Sequence, residues 1–403
     1  MSREAMISPI SEWLIAQSLD ETDVVELFDG MCKKMIGVGI PINRARLIWP
    51  TLHPLFQAET VVWDIGKESY LDQFAHQDNE SDAWKRSTLK YFLDNNLDIM
   101  RRELQGPNEL VDFEMLQDLK DEGVTDYVVL GTELRGASFK FNEGMRNQRV
   151  LITWASDRPG GFSADDLWAL QKIHKRFAVT CKVMIQSRIA DNIATTYLGK
   201  RAGERVRNGQ IRRGDGEETT AIVWYSDLRN STSLAETMKP DKYFSLLNSY
   251  FMSTAQPVVE HGGEILDFIG DAVLGIFPFE GEGQKKQAAE AACDAIRSAL
   301  EYAKTCNEER IEAGMEKFNF GIGINEGSVR FGNIGIPTRL AFSVIGPTVN
   351  EVARIETMTK SLQQPVLAGE KFARLLPDKW KTVGKHKLEG VLEPVELFMP
   401  NYP

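Results

Sequence analysis

Apolar and polar positions follow two rhythms along this chain, and each change of rhythm marks an element. Residues 11–38 set Leu14, Leu19, Val25, Leu27 and Met31 on a rough stripe, which predicts a helix. The segment 46–64, RLIWPTLHPLFQAETVVWD, reads as extended chain interrupted by prolines. Further strands are expected at 127–132, 136–141 and 148–155. A turn at RPGG then leads to Ser163, an N-cap for a long helix with Asp165 and Asp166 in its first turn. Beyond Lys182, Val183, Ile185, Ile189 and Ile193 continue as an amphipathic helix that gives way to the turn-rich GDGEE.

Downstream the pattern is sharper. AIVWYSD is a strand that ends on an acid, and residues 240–260 form a helix running to HGG. Residues 264–269 and 272–277 are two strands folded around Gly270 and Asp271. An alanine-rich helix at 284–306 presents Ala288, Ala292, Ile296, Ala299 and Ala303 on one face. FNFGIGI and SVRFGNIG are expected to form a second hairpin, with a helix from about Pro347. This order, βαββαβ with extra C-terminal elements, predicts a ferredoxin-like α+β core. Upstream, strands closed by a C-terminal helix predict a separate α+β domain. It resembles a GAF-like sensor in layout; a structural or dimerising domain explains the same pattern.

Three segments follow from these readings: 1–181 as a regulatory α+β domain, 182–217 as a helical linker or transducer, and 218–403 as the catalytic domain. Between Lys182 and Arg213 eight Lys or Arg stand against two acids. A solvated helix face explains that bias, as does a helix that passes signal or dimer contacts between the halves. Aromatic interleaving, which a single-stranded nucleic-acid surface uses, is missing there.

At 403 residues, 42% hydrophobic and 26% charged, the chain has enough apolar content for two or three cores. A net charge of −11 argues against general nucleic-acid or anionic membrane partners, although bound cations let such a chain hold a nucleotide. The four cysteines and five histidines are scattered, which excludes a disulfide framework and a zinc site built on paired cysteines. No apolar run reaches the length of a membrane span, and the first residues have no clean apolar signal region. A cytoplasmic protein is the expectation.

The candidate chemistry begins with two carboxylates at the ends of strands. Asp227 closes IVWYSD, and Asp271 sits at the tip of the ILDFIGDAVLGIF hairpin. If the strands are neighbours, both acids enter one small volume, where they repel each other unless a hard divalent cation such as Mg²⁺ or Mn²⁺ fills the gap. The following LRNSTS offers backbone N–H groups and hydroxyls to phosphate oxygens, and no Walker A sequence occurs in the chain. Asn350 and Arg354, four residues apart in GPTVNEVARIE, share a helix face and can orient a ribose and stabilise phosphoryl charge.

WYSDLRNST, HGGEILDFIGDAVLGIF, FGIGINEGSVRFGNIG, RLAFSVIGPTVNEVARIE and LEGVLEPVELF together resemble the catalytic domain of class III adenylate/guanylate cyclases over residues from about 219 to 400. The resemblance implies a head-to-tail homodimer with the nucleotide in its interface and two Mg²⁺ or Mn²⁺ per active site. Asp227 with its neighbour Leu228, and Asp271, would hold the metals. Arg229, Asn230, Ser231 and Thr232 would form the phosphate loop. Asn350 (ribose) and Arg354 (α-phosphate) would come from the second protomer. The ribose 3′-oxygen would attack the α-phosphorus and release pyrophosphate.

Three positions depart from the family pattern. Adenylate cyclases usually carry a base-reading lysine four residues before the second metal acid; this chain has Asp267 there, with Ser343 at the partner position. An acid at that place accepts from the N–H edge of guanine, as in guanylate cyclases. ATP remains the first expectation and GTP the alternative; a silent nucleotide-binding regulator is a third. The lysine that holds the triphosphate has only Lys385 and Lys387 as candidates, and Asn230 stands where glycine is common. HGGEIL superficially matches the GG[DE]EF signature of diguanylate cyclases, but Ile265 replaces the second acid, and that identity is rejected. A small-molecule or protein regulator is expected at the N-terminal half.

Overall fold

A computed structural model describes residues 3–401 apart from 21, 77, 79–80, 135–148, 213, 215, 337 and 392. It divides into two compact units, 1–193 and 194–403. The strand expected at 136–141 lies outside the described residues.

The N-terminal unit runs α1 (Arg3–Gln17), α2 (Val24–Gly37), β1 (Arg44–Pro50), β2 (Phe56–Asp64), β3 (Tyr70–Ala75), α3 (Asp82–Lys85), α4 (Thr88–Asp94), β4 (Ile99–Glu103), α5 (Glu114–Asp121), β5 (Asp126–Glu133) and β6 (Arg149–Ser156), then enters α6 (Ala164–Leu198). The strands form an antiparallel sheet in the order β3-β2-β1-β6-β5-β4. Every residue of central β6 is buried, because apolar side chains cover both faces. Leu27, Phe28 and Phe177 from α2 and α6 pack on one side, and Phe92 and Leu116 from α4 and α5 on the other. The single helix expected over 11–38 is in fact two. Asp23 accepts from Val25 N at 2.7 Å and caps α2, so the polar stretch after Gln17 starts a new helix instead of continuing the old one. Ser163 caps α6 as expected, its hydroxyl accepting from Asp166 N at 3.2 Å. That helix continues unbroken through Lys182 to Leu198, so the compositional boundary falls inside it.

The C-terminal unit continues with α7 (Lys200–Arg207), β7 (Gly216–Leu228), α8 (Ser231–Thr237), α9 (Pro240–Glu260), β8 (Glu264–Ile269), β9 (Ala272–Pro278), α10 (Gly281–Glu312), β10 (Phe320–Ile336), β11 (Arg339–Ile345), α11 (Pro347–Ser361), β12 (Val366–Gly369), α12 (Glu370–Ala373), β13 (Trp380–His386) and β14 (Val395–Pro400). Its sheet has the order β13-β14-β12-β10-β7-β9-β8, with β11 paired to the end of β10. The run β10-β7-β9-β8 is the βαββαβ ferredoxin-like arrangement, so the fold is α+β as the pattern predicts. One face of the sheet packs Ile222, Trp224, Phe320 and Ile322 under Tyr250 of α9 and the alanine face of α10. The other gathers Val223, Leu274, Val329 and Phe331 with Val352 of α11.

The second hairpin was expected within 318–335, but β10 is one strand of 17 residues that turns only after Ile336. The INEG stretch holds the extended form because its side chains are bound elsewhere. Asn325 donates to Glu351 at 3.1 Å and accepts from Phe372 N at 3.2 Å, and Glu326 pairs with Lys285 at 2.9 Å. Among the described residues, no helix is long and apolar enough to cross a membrane.

Candidate active site

Asp227 lies opposite Ala272 on β9 and Gly321 on β10, in the middle of the sheet. Asp271 occupies the β8–β9 turn, which Gly270 closes at a φ of 67°. The expected convergence occurs: the two side chains meet, and burial together with Asp271 holds the Asp227 carboxyl well above its ordinary range. Leu228 buries its side chain in the core, and its N–H supports Asp227. Asp227 Oδ1 is buried and has no hydrogen-bond partner. Two crowded acids with one orphaned oxygen fit a hard divalent cation, whose charge offsets their repulsion.

A third acid, which sequence reasoning missed, stands beside them. Glu356 of α11 is 5% exposed, and burial followed by Asp227 pushes its carboxyl up to about 7. Tyr225, two residues before Asp227 on the same face, is pushed up to about 12 by burial and by these acids. Arg229 supplies the local positive charge. Its guanidinium donates to Thr359 and lies 3.9 Å from Glu356. Its side chain therefore turns into α11, and what it leaves to the expected phosphate loop is its backbone. Asn230 adopts the left-handed conformation, φ 59°, in which asparagine substitutes for the glycine common there. Ser231 and Thr232 open the short helix α8, with Thr232 exposed.

Glycines on alternate residues of β10 bring α11 close to the sheet. A Cβ on Gly321 would lie 2.2 Å from Glu356 Oε1 and 2.3 Å from Thr359 Oγ1. On Gly323 it would lie 2.3 Å from the Val352 carbonyl, and on Gly327 it would lie 2.2 Å from Thr348 Oγ1. The spacing G-x-G-x-x-x-G was visible in FGIGINEG, and its alternation along a strand is the signal that would have located this groove.

The same helix carries the expected nucleotide residues on a different side. Asn350 is exposed and Arg354 half-buried, while Val352, Ile355, Glu356 and Thr359 face the protein. Arg354 reaches the turn after Lys387: its Nη2 is 3.2 Å from where a Cβ on Gly390 would stand. Lys385, on β13 opposite Glu396 of β14, and Lys387 are both exposed. Asn350 precedes Glu356 by six residues, about 9 Å along the helix axis, and lies on the exposed side of α11.

Asp267 owes its direction to an irregularity. The β8–β9 register runs Ile265↔Gly275 and then Asp267↔Leu274, leaving Leu266 as an extra residue. Directly opposed antiparallel residues point to the same side. Leu274 packs in the cluster with Val223 and Val352, so Asp267 projects to the face that carries Asp227. Asp267 is exposed; Ser343, on β11, is half-buried, and β11 packs against β8. Among the described residues no hydrogen bond joins the two.

Comparison with known proteins fits this geometry. Residues 216–391 match the family of adenylate and guanylate cyclase catalytic domains. An adenylate cyclase of Anabaena cylindrica is 34% identical over 188 residues, 46% of this chain and 36% of that protein, so the match spans little more than a third of its relative. Among solved structures, the adenylyl cyclase CyaB from P. aeruginosa superposes with a TM-score of 0.42 at 25% identity over 47% of this chain and 96% of its own. The guanylyl cyclase Cya2 gives 0.40 at 28% over 47% and 96%. Residues 216–391 of this chain therefore form a domain of the class III adenylate/guanylate cyclase family.

Proposed function

We propose that the chain is a nucleotidyl cyclase that converts ATP to 3′,5′-cyclic AMP and pyrophosphate at a homodimer interface. The observation that carries this reading is the Asp227–Asp271 pair, with its orphaned buried oxygen, inside a domain of the cyclase family. Two Mg²⁺ or Mn²⁺ held by Asp227, Leu228 and Asp271 would neutralise the triphosphate and lower the pKa of the ribose 3′-hydroxyl. Asn350 of the second chain orients the ribose, and Arg354 stabilises charge on the α-phosphoryl oxygens as the 3′-oxygen attacks in line with the leaving pyrophosphate. The backbone of 229–232 and Lys385 or Lys387 hold the remaining phosphates. Residues 1–181 act as a GAF-like regulatory domain and 182–217 as the transducer, responding to an unidentified small molecule or protein.

A second reading takes GTP as the substrate. Asp267 favours it, because a carboxylate on the active face accepts from guanine N1–H and N2–H₂ and offers adenine N1 no donor. The similarity to the Anabaena adenylate cyclase favours ATP. Chromatographic product analysis with ATP and GTP in separate reactions, each with Mn²⁺ or Mg²⁺, decides between them. Cyclic AMP is the expected product. Cyclic GMP alone would make Asp267 the base-reading residue, and no cyclic product from either nucleotide would leave a silent nucleotide-binding regulator.

The shared site has its own test. Asp227→Ala and Asn350→Ala chains are each expected to be inactive alone. Co-expressed in equal amounts, half of the dimers keep one intact site of two, and turnover recovers to about a quarter of the unmodified level. If the mixture stays as silent as its components, the site does not combine residues of two chains.

A further inference from the structure

Arg229 joins two parts of the cyclase domain to which the chemistry above gives separate tasks. Its backbone opens the phosphate loop. Arg229 N donates to the Asn319 carbonyl at 2.8 Å, and Asn230 follows in the left-handed conformation that leads into α8. The side chain runs the other way, to the last turns of α11. There its Nη2 donates to Thr359 Oγ1, and its Nη1 lies 3.9 Å from Glu356 Oε1.

Thr359 is buried, and its hydroxyl accepts from Arg229 while donating to the Glu356 carbonyl. Glu356 is buried beside Asp227, and the guanidinium of Arg229 is the positive charge that offsets its carboxylate. Gly321 leaves the space in which the three side chains meet: a Cβ there would stand 2.8 Å from Arg229 Nη2. With an acceptor for its N–H and an anion for its charge, Arg229 holds loop and helix in one geometry. Asn350 and Arg354 occupy a different side of the same helix, nine and five residues before Thr359, about 14 and 8 Å along its axis. At Gly323 the main chains of β10 and α11 are in contact, so α11 shifts as a body.

We propose that Thr359 and Glu356 are positioning residues which, through Arg229, tie the phosphate loop of one active site to the helix that supplies Asn350 and Arg354 to the other. The inference rests on the homodimer reading above. Within one chain the loop serves that chain's own acid pair, whereas Asn350 and Arg354 serve the acids of the second chain. A triphosphate that pulls on the backbone of 229–232 therefore bears on α11, and through α11 on the placement of the ribose in the second site. The coupling of binding at the two sites runs equally in both directions.

Mixed dimers of the full chain test it. Asp227→Ala and Asn350→Ala chains carrying different affinity tags, co-expressed and purified through both tags, contain one working site. Its acids and loop come from the Asn350→Ala chain, and its Asn350 and Arg354 from the Asp227→Ala chain. Thr359→Val keeps the shape of the side chain and removes the acceptor of Arg229. Placed in the Asn350→Ala chain, it should raise KM for ATP, or for GTP if that is the nucleotide turned over, about tenfold, because the loop loses its anchor. Placed in the Asp227→Ala chain, whose own loop faces the dead site, it should lower kcat about tenfold with KM little changed, because Asn350 and Arg354 lose their placement. Thr359→Ser, which keeps the hydroxyl, should restore both. A substitution that only weakened the fold would give the same loss of kcat in either placement, so the split between KM and kcat is the diagnostic readout. Should Thr359→Val prevent folding, Glu356→Gln in the same two placements replaces it, with the same split expected. Active mixed dimers that are indifferent to the substitution in the Asp227→Ala chain overturn the coupling alone. Mixed dimers that are silent before any third substitution refute the shared site, and the link with it.

Discussion

Asp227→Asn should lower metal-dependent formation of cyclic nucleotide by roughly a thousandfold while leaving the metal-free protein at least as stable as before. The loss follows from the charge: an amide of nearly the same shape donates where a cation needs an anionic ligand, and several kcal/mol of transition-state stabilisation goes with it. The stability half follows from the environment of the acid. Burial and Asp271 hold the Asp227 pKa above its ordinary value, which means that the folded chain disfavours the ionised carboxylate. A neutral side chain removes that repulsion. Product assays with Mn²⁺, paired with thermal unfolding in chelator, read the two effects separately. Retention of full turnover by the variant would sink the assignment of Asp227, and a large fall in unfolding temperature would mean that the acid supports the fold.

Gly323→Ala should damage the same domain by another route. The added methyl lies 2.3 Å from the Val352 carbonyl oxygen and 2.6 Å from Glu356 N, both main-chain atoms of α11. A side chain in that place could rotate away; a helix backbone can only move as a body. Overpacking of this kind costs about 1–3 kcal/mol, which lowers the melting temperature of a domain of this size by about 3–10 °C. Displacing α11 also displaces Asn350 and Arg354, and misplacement by about 1 Å is enough for a hundredfold loss of turnover. Gly283 provides the control. It lies within α10, and a Cβ there meets nothing within 4 Å, so Gly283→Ala should be neutral or slightly stabilising. Equal melting temperatures for the two variants would show that α11 does not sit as tightly on β10 as the glycine contacts require.

The features legible in the sequence were those fixed by local pattern. The helix at 240–260 and the strand at 264–269 occur over the same residues as expected, and Asp227 and Asp271 meet as the strand ends implied. What escaped depended on partners distant in sequence. The length of β10 could not be read from INEG, because its extended form rests on Glu351, Lys285 and Phe372. Glu356 reads as an ordinary charged helix residue until Gly321 brings its carboxylate beside Asp227. Arg229 has the composition of a phosphate ligand, yet Thr359 and Glu356 draw its side chain into the protein. In the N-terminal unit the Asp23 cap ended the apparent long helix, a signal present in the sequence but outweighed by the apolar stripe.

The extra residue at Leu266 has an evolutionary consequence. With regular alternation Asp267 would share the side of Ile265, which packs with the α9–α10 core; the insertion sends it to the side of Asp227. A change in strand length by a single codon therefore moves residue 267 between the face of Asp227 and the core, whichever amino acid occupies it. Under the proposal that Asp267 reads the base, an insertion or deletion in β8 would alter discrimination between purines as directly as substitution of the acid. Comparisons that align these strands without allowing for the bulge would pair residues that face opposite ways.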